Sequence, residues 1–226
     1  MGFGEEGNMG KLIKRSWILI VLIFCGALAC ATETLPKKSG FLQDYSKLTK
    51  TPYKDAEGAY SYFNPERPLS QYSRFIVLPV QIRLVQSART PYASPSAPYI
   101  NKKDLQKLAD YFYFKLVKEL KNSSYDVVHE PGPGTLILRV AITNLEPAHP
   151  IVRMQPILTK SQIWGGASAE AEMVDALTGE IVVAVIDSQK GRRYDKITQY
   201  GNVKDVIERW SKRLITRMDE AHSKAP

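Results

Sequence analysis

Hydrophobic and polar residues alternate along three stretches of the chain, and this period of two predicts β-strands. The clearest stretch covers residues 75–84, where every second residue is apolar. Pro79 falls inside it and cannot donate a backbone hydrogen bond, so we expect this strand to lie at a sheet edge or to carry a bulge. Residues 125–129 predict a short strand, and residues 135–145 predict a long one.

Two other segments repeat their apolar residues at intervals of three and four, which is the period of an amphipathic helix. The first begins at Asn101, a suitable N-cap, and runs to about residue 121; the second covers about residues 202–221. Phe114 falls among the charged residues of the first helix. We interpret Phe114 as a candidate contact with a partner, the alternative being an isolated exposed aromatic side chain with no such role.

A β-hairpin is predicted between these helices, with arms at residues 168–175 and 180–187. Asp175 can accept hydrogen bonds from the amides of the connecting turn. Gly179 can adopt the positive φ that a type I turn followed by a bulge requires. The order of elements is then strand, helix, four strands and helix. This order predicts an α+β fold: a mostly antiparallel sheet of about five strands with two amphipathic helices packed on one face.

The N-terminal region has the features of an export signal. Cations at Lys11, Lys14 and Arg15 precede an apolar stretch that ends in the sequence Ala27-Leu28-Ala29-Cys30. This ending resembles the lipobox of bacterial lipoproteins, in which the cysteine thiol is alkylated by a lipid and becomes the first residue of the mature chain.

An uncleaved transmembrane helix is the alternative interpretation of this segment. The 15 positions from Trp17 to Ala31 are fewer than the roughly 20 residues that a helix needs to span a bilayer. The short length favours the lipoprotein signal, with Cys30 as the site of lipid attachment. Translation can begin at Met1 or at Met9.

We therefore divide the chain into three parts. Residues 1–29 are predicted to be the lipoprotein signal peptide, residues 30–70 a lipidated tether, and residues 71–226 the α+β domain. Within the tether, residues 39–48 are apolar and aromatic, which a simple linker does not require. We expect this motif to dock on the folded domain.

Composition fits one globular domain, with 44% hydrophobic and 24% charged residues. The two cysteines, Cys25 and Cys30, both lie in or directly after the signal, so the domain has neither a disulfide framework nor a thiolate metal site. The net charge of +8 favours anionic partners. In the cell envelope these are lipid head groups and glycan acids, and nucleic acid is not expected.

The densest basic segment is the candidate surface for such an anionic partner. Its four cations lie between the hairpin and the last helix: Lys190, Arg192, Arg193 and Lys196. The alternative is a solvated connection between two elements.

Candidate catalytic residues are few. Glu170 and Glu172 lie two apart on one predicted strand, so their carboxylates point to the same face. Paired carboxylates can act as general acid and base, but outward-facing charges that prevent edge pairing are the simpler interpretation. The three histidines, His129, His149 and His222, are not spaced as metal ligands. We predict no catalytic residue, no metal site and no cofactor.

Several motifs together resemble a family of uncharacterised bacterial lipoproteins, domain of unknown function 3313 (DUF3313). They are Cys30 behind its signal, residues 39–42 with 44–46, residues 72–80, and the hairpin turn at 175–180. The resemblance implies an exported, lipid-anchored, non-catalytic protein. Ala31 after Cys30 resembles lipoproteins sent to the outer membrane.

The sequence thus predicts a lipid-anchored module of the cell envelope that faces the periplasm and acts by binding or as a structural accessory. Two alternatives remain at this point. One is a subunit of an oligomeric secretion or pore assembly, and the other is an envelope hydrolase that uses Glu170, Glu172 or His129.

Overall fold

The structure is a computed structural model that describes residues 37–85, 102–147, 164–191 and 200–224. Predictions that concern Cys30 and the signal peptide, and those for Arg192, Arg193, Lys196 and His149, lie outside the described residues. The strands are β1 (Thr49–Lys50), β2 (Tyr60–Phe63), β3 (Arg74–Val77), β4 (Gln81–Ile82), β5 (Asp126–Val127), β6 (Thr135–Pro147), β7 (Trp164–Asp175) and β8 (Ile181–Lys190). The helices are α1 (Lys102–Lys121) and α2 (Gly201–Ser223), and two short 3-10 helices occupy Lys54–Ala56 and Leu69–Gln71.

All eight strands form one sheet in the order β1-β2-β8-β7-β6-β3-β5, with β4 also paired to β6. Four of the pairings are antiparallel, whereas β3 runs parallel to both β5 and β6, and β4 runs parallel to β6. The α+β class is confirmed, but the sheet is mixed and larger than the mostly antiparallel sheet of about five strands that the sequence predicted. The strands that periodicity missed, β1 and β2, are too short to show a period.

The predicted strand over residues 75–84 is interrupted. Its two pieces are β3 and β4, and Leu78, Pro79 and Val80 separate them. Pro79 has no N–H to donate to β6, so the regular ladder stops and resumes at Gln81. The edge position that Pro79 indicated is wrong for β3, which lies between β5 and β6.

Both long helices pack on one face of the sheet, as predicted. Phe112 of α1 stacks on Trp210 of α2 with ring centroids 5.7 Å apart. Both rings face Ala169, Ala171 and Met173, which alternate along β7 and so share one face. The main hydrophobic core therefore lies between this face and the two helices.

The predicted hairpin is present, and its turn is built as expected. Asp175 Oδ1 accepts hydrogen bonds from the amides of Leu177 and Thr178 at 2.9 and 2.8 Å. Gly179 has a φ of +75°, which favours glycine. The two arms of the hairpin, β7 and β8, carry side chains on both faces of the sheet. The face opposite the helices holds the candidate site.

Candidate functional site

Glu170 and Glu172 of β7 lie on the sheet face opposite the helices, as their spacing of two predicted. Both side chains are fully buried, with 0% of their surface exposed. The simpler interpretation from sequence, outward-facing charges that prevent edge pairing, is therefore wrong. β7 lies inside the sheet between β6 and β8, and a segment from the N-terminal part of the chain covers the two carboxylates.

This segment, Ser39–Leu48, is referred to below as the strap. The amide of Ser39 donates a hydrogen bond to Glu170 Oε1 at 2.9 Å, and its hydroxyl donates to Glu170 Oε2 at 2.8 Å. Tyr45 donates its hydroxyl proton to the same Oε2 at 2.6 Å. Three donors of the strap thus converge on one buried carboxylate, and this arrangement compensates the cost of removing that carboxylate from water.

The phenol oxygen of Tyr45 also organises the strap itself. It accepts hydrogen bonds from the amides of Gly40 and Leu42 at 2.9 and 3.2 Å. Gly40 has a φ of +79°, which favours glycine. Asp44 forms a local turn by accepting the Ser46 amide at 2.8 Å. Tyr45 and Asp44 therefore hold the strap in its folded form through local hydrogen bonds.

The second carboxylate receives a different set of donors. Glu172 Oε1 accepts a hydrogen bond from the Gln43 amide at 2.5 Å, and Glu172 Oε2 accepts one from Arg139 Nη1 at 2.9 Å. Arg139 lies on β6 at the position paired directly with Glu172. The Arg139 guanidinium in turn lies over the ring of Phe41, 5.3 Å from its centroid. The strap thus contacts the sheet through charge, through hydrogen bonds and through an aromatic ring.

Small neighbours make room for the strap. Ala141 of β6 is paired with Glu170, and Ala184 of β8 is paired with Glu172. Both alanines are almost completely buried, as are the strap residues Phe41 and Leu42. Short side chains on the flanking strands leave space above this face of the sheet, where the strap lies.

The arrangement supports a structural use of the two carboxylates. Each of their four oxygens accepts at least one hydrogen bond from the strap or from Arg139. A substrate that needed either carboxylate as acid or base would first have to displace the strap. The geometry therefore favours the interpretation that these residues hold the strap on the sheet.

Burial raises the pKa of Glu172 above its ordinary value of 4.5, although the Gln43 amide and Arg139 oppose this effect. The folded protein consequently holds this proton more tightly than the unfolded chain does. The contribution of Glu172 to stability is complete below the unfolded-state pKa and is lost as the pH rises through the folded-state pKa.

We predict a specific pH dependence from this shift. The free energy of unfolding of the unmodified chain, minus that of Glu172→Gln, falls as the pH is raised from about 4 to about 7. Titrating groups that do not interact with Glu172 are common to both proteins and cancel in the difference. Urea titrations of both proteins across this range measure it, and a difference that stays constant or increases with pH would contradict the assignment.

The other candidate residues do not gather at this site. His129 is exposed next to β5. His222 is half-buried in α2, and its Nδ1 lies 2.8 Å from the Met218 carbonyl oxygen. Within the described parts of the chain there is no cluster of histidine, cysteine, aspartate and glutamate that can hold a metal ion.

The two surface candidates lie elsewhere. Phe114 of α1 is 58% exposed and its neighbour Tyr113 is 37% exposed. Lys190, the described member of the basic segment, is exposed at the end of β8. Neither of the two described helices is long and apolar enough to cross a bilayer.

Sequence reasoning missed two residues of the site and its surroundings. Arg139, which pairs with Glu172, was inconspicuous because it is one polar position in an alternating strand. Tyr72 donates its hydroxyl proton to Asp175 Oδ2 at 2.9 Å and so ties the start of β3 to the hairpin turn. The burial of this hydroxyl beside a carboxylate raises the pKa of Tyr72 to about 12.

Among solved structures, similarity extends to proteins of low sequence identity. A PelC dodecamer from Paraburkholderia phytofirmans gives a TM-score of 0.43 at 9% identity, covering 71% of this chain and 95% of that chain. A minor lipoprotein from Acinetobacter baumannii gives a TM-score of 0.32 at 12% identity, covering 66% of this chain and 92% of that chain.

Sequence comparison gives a more specific result. The chain is 26% identical over 209 residues to the uncharacterized lipoprotein YdcL of Escherichia coli (strain K12). This alignment covers 83% of this chain and 90% of that protein. A family described as a protein of unknown function, DUF3313, matches residues 37–214. The matched region begins just before the strap and ends within α2, so it includes both glutamates and the segment that covers them. The chain belongs to the DUF3313 family.

Proposed function

We propose that this protein is a lipoprotein of the cell envelope, anchored through a lipid on Cys30, whose domain acts without catalysis as a binding or structural accessory module facing the periplasm. The observation that carries the non-catalytic part is the burial of Glu170 and Glu172 beneath the strap. The residues best suited to acid and base chemistry are occupied by the protein's own donors.

Two observations support the anchor. The homologous chain from Escherichia coli is itself described as a lipoprotein. The sequence from Lys11 to Cys30 also has the order of charge, apolar stretch and small residues that precedes a lipidated cysteine. Ala31 after Cys30 supports an outer-membrane location for the anchor.

The anchor is tested by metabolic labelling. We expect cells that grow with radiolabelled palmitate to label the unmodified protein, and the substitution Cys30→Ser to abolish the label because the alkylated thiol is gone. Cys25→Ser is the matched control and retains the label, since Cys25 lies inside the apolar stretch behind bulky residues. Equal labelling of the Cys30→Ser protein would refute attachment at this residue.

The exposed aromatic pair on α1 supports the binding part of the proposal. Large exposed apolar side chains that lie together favour a contact with another protein. Phe114 and Tyr113 are adjacent and both face solvent. A photo-crosslinking amino acid at position 114, introduced in intact cells, captures the partner directly. Position 177 is the control, because Leu177 is similarly exposed at the hairpin turn.

The same experiment examines the alternative of an oligomeric envelope assembly. A crosslink between two copies of this chain favours an oligomer, whereas a crosslink to a different envelope protein favours an accessory role. Capture at position 177 equal to that at position 114 would argue against a partner surface on α1.

A further inference from the structure

An apolar cavity of about 140 Å³ lies between the two helices and the sheet, on the face opposite the strap. The sheet contributes the small side chains of Ala169 and Ala171, and the helices contribute Phe112, Leu116 and Trp210. A wholly apolar cavity of similar size, about 150 Å³, remains dry in another protein and binds benzene. The space is therefore large enough for a group of about six carbon atoms.

The small residues of β7 explain why the cavity exists. Ala169 and Ala171 face large partners on both helices, but neither alanine reaches far enough above the sheet to fill the gap. Interiors of proteins are usually packed without voids of this size, because an unfilled void forfeits contacts on one side. An apolar ligand that filled this space would restore those contacts.

The polar residues at one end of the cavity are already paired with one another. Asp187 Oδ2 accepts hydrogen bonds from Trp210 Nε1 at 2.8 Å and from Arg213 Nη1 at 2.6 Å. Arg213 also pairs with Asp55, and Arg217 pairs with both Asp55 and Glu220. The cavity itself is lined by one carboxylate, Asp187, and by two guanidinium groups, Arg213 and Arg217, and both guanidinium groups are already paired with carboxylates of the protein.

This pairing restricts the chemistry of a ligand. A fatty acid or a phosphate would bring an anion out of water to a place where both arginines are already engaged, and an ion without a partner is costly to bury. An uncharged head group does not have that cost. Phe63, which also lines the cavity, is 37% exposed and marks the side from which a chain can enter from solvent.

We propose that this cavity binds the end of an alkyl chain belonging to an uncharged amphiphile. The inference rests on the size, lining and charge of the cavity and does not depend on the lipid at Cys30. It gives the domain a ligand site in addition to the anchor.

Trp210 offers a direct readout, because a bromine atom in contact with an indole quenches its fluorescence. The full chain contains three tryptophans, so the substitutions Trp17→Phe and Trp164→Phe leave Trp210 as the only tryptophan, which is excited selectively at wavelengths that tyrosine does not absorb. We expect 6-bromohexan-1-ol to quench this emission with a saturating dose dependence, and unbrominated 1-hexanol to reverse the quenching by competition. 6-bromohexanoate is expected to bind at least about tenfold more weakly, because its carboxylate would lose water without gaining a free cation.

Two variants fill the cavity from the sheet. Ala171→Leu, and independently the smaller change Ala169→Val, are expected to abolish the saturating component, while the surface substitution Leu177→Ala leaves it unchanged. Circular dichroism confirms that each variant is folded. If both filled variants are unfolded, the competition by 1-hexanol and the preference for the alcohol over the carboxylate still decide the matter. Quenching that rises linearly without saturation, or equal binding of the carboxylate, would overturn the proposal.

Discussion

Replacing Glu170 with alanine is expected to lower the free energy of unfolding by about 3 kcal/mol or more. The substitution leaves the Ser39 amide, the Ser39 hydroxyl and the Tyr45 hydroxyl without their common acceptor. Hydrogen bonds to a charged group contribute about 1.5–3 kcal/mol each, and donors left unpaired in a buried place add a desolvation cost. The loss has an upper limit, because the strap can leave the sheet while the rest of the domain stays folded.

Two measurements together check this expectation. Urea unfolding gives the free energy, and hydrogen exchange gives the protection of the Ser39 and Gln43 amides, which donate directly to the two carboxylates. We expect Glu170→Ala to remove the protection of both amides. Glu170→Gln should have a smaller effect, since the amide oxygen still accepts from Ser39. An unchanged free energy with a protected Ser39 amide would contradict the role assigned to Glu170.

The matched control is Glu180→Ala, on the turn that leads into β8. Glu180 is paired with Arg67 at 2.6 Å, but both side chains are substantially exposed. An exposed ion pair contributes little because water screens it and both side chains lose freedom. We expect this variant to unfold almost as the unmodified protein does and to retain strap protection. A loss equal to that of Glu170→Ala would show that burial is not what makes Glu170 important.

Replacing Phe41 with alanine is the second substitution with a large expected effect, a loss of up to about 3–5 kcal/mol. The Phe41 ring is 5% exposed and lies beneath the Arg139 guanidinium. Its removal opens a cavity between the strap and the sheet and takes away the cation–π contact. Phe114→Ala is the control of the same chemistry: Phe114 is 58% exposed, so its loss is expected to stay within about 0.5 kcal/mol.

The double variant Glu170→Ala with Phe41→Ala separates two explanations of these losses. If each substitution releases the strap, the second adds little to the first, because the contacts it would remove are already broken. Losses that add in full would indicate that the two residues stabilise independent parts of the structure. Equal losses for Phe41→Ala and Phe114→Ala would contradict the proposed packing of the strap.

Local features of the fold could be predicted from sequence because their causes are local. The hairpin depends on Asp175 and Gly179, which lie within four residues of each other and act through the turn itself. Both helices follow from the spacing of their apolar residues. The interruption at Pro79 follows from its missing N–H, although periodicity alone predicted one continuous strand.

The site could be predicted only in part, since its partners are distant along the chain. The spacing of two between Glu170 and Glu172 predicted that both side chains lie on the same face of the sheet. The alternation along a strand does not indicate which segment covers that face. The covering donors come from Ser39 and Tyr45, more than a hundred residues away in sequence. The apolar and aromatic character of residues 39–48 indicated that this segment docks on the domain. No feature of the sequence indicated that it docks on Glu170 and Glu172.

The position at which the strap begins has a mechanical consequence. Ser39 is nine positions after Cys30, and an extended chain advances at most about 3.3–3.6 Å per residue. With the proposed lipid in place, the first contact of the strap lies no more than roughly 30 Å from the bilayer attachment point. So short a tether keeps the strap, and the domain on which it docks, next to the membrane surface. The binding partner must therefore itself lie at or near that membrane.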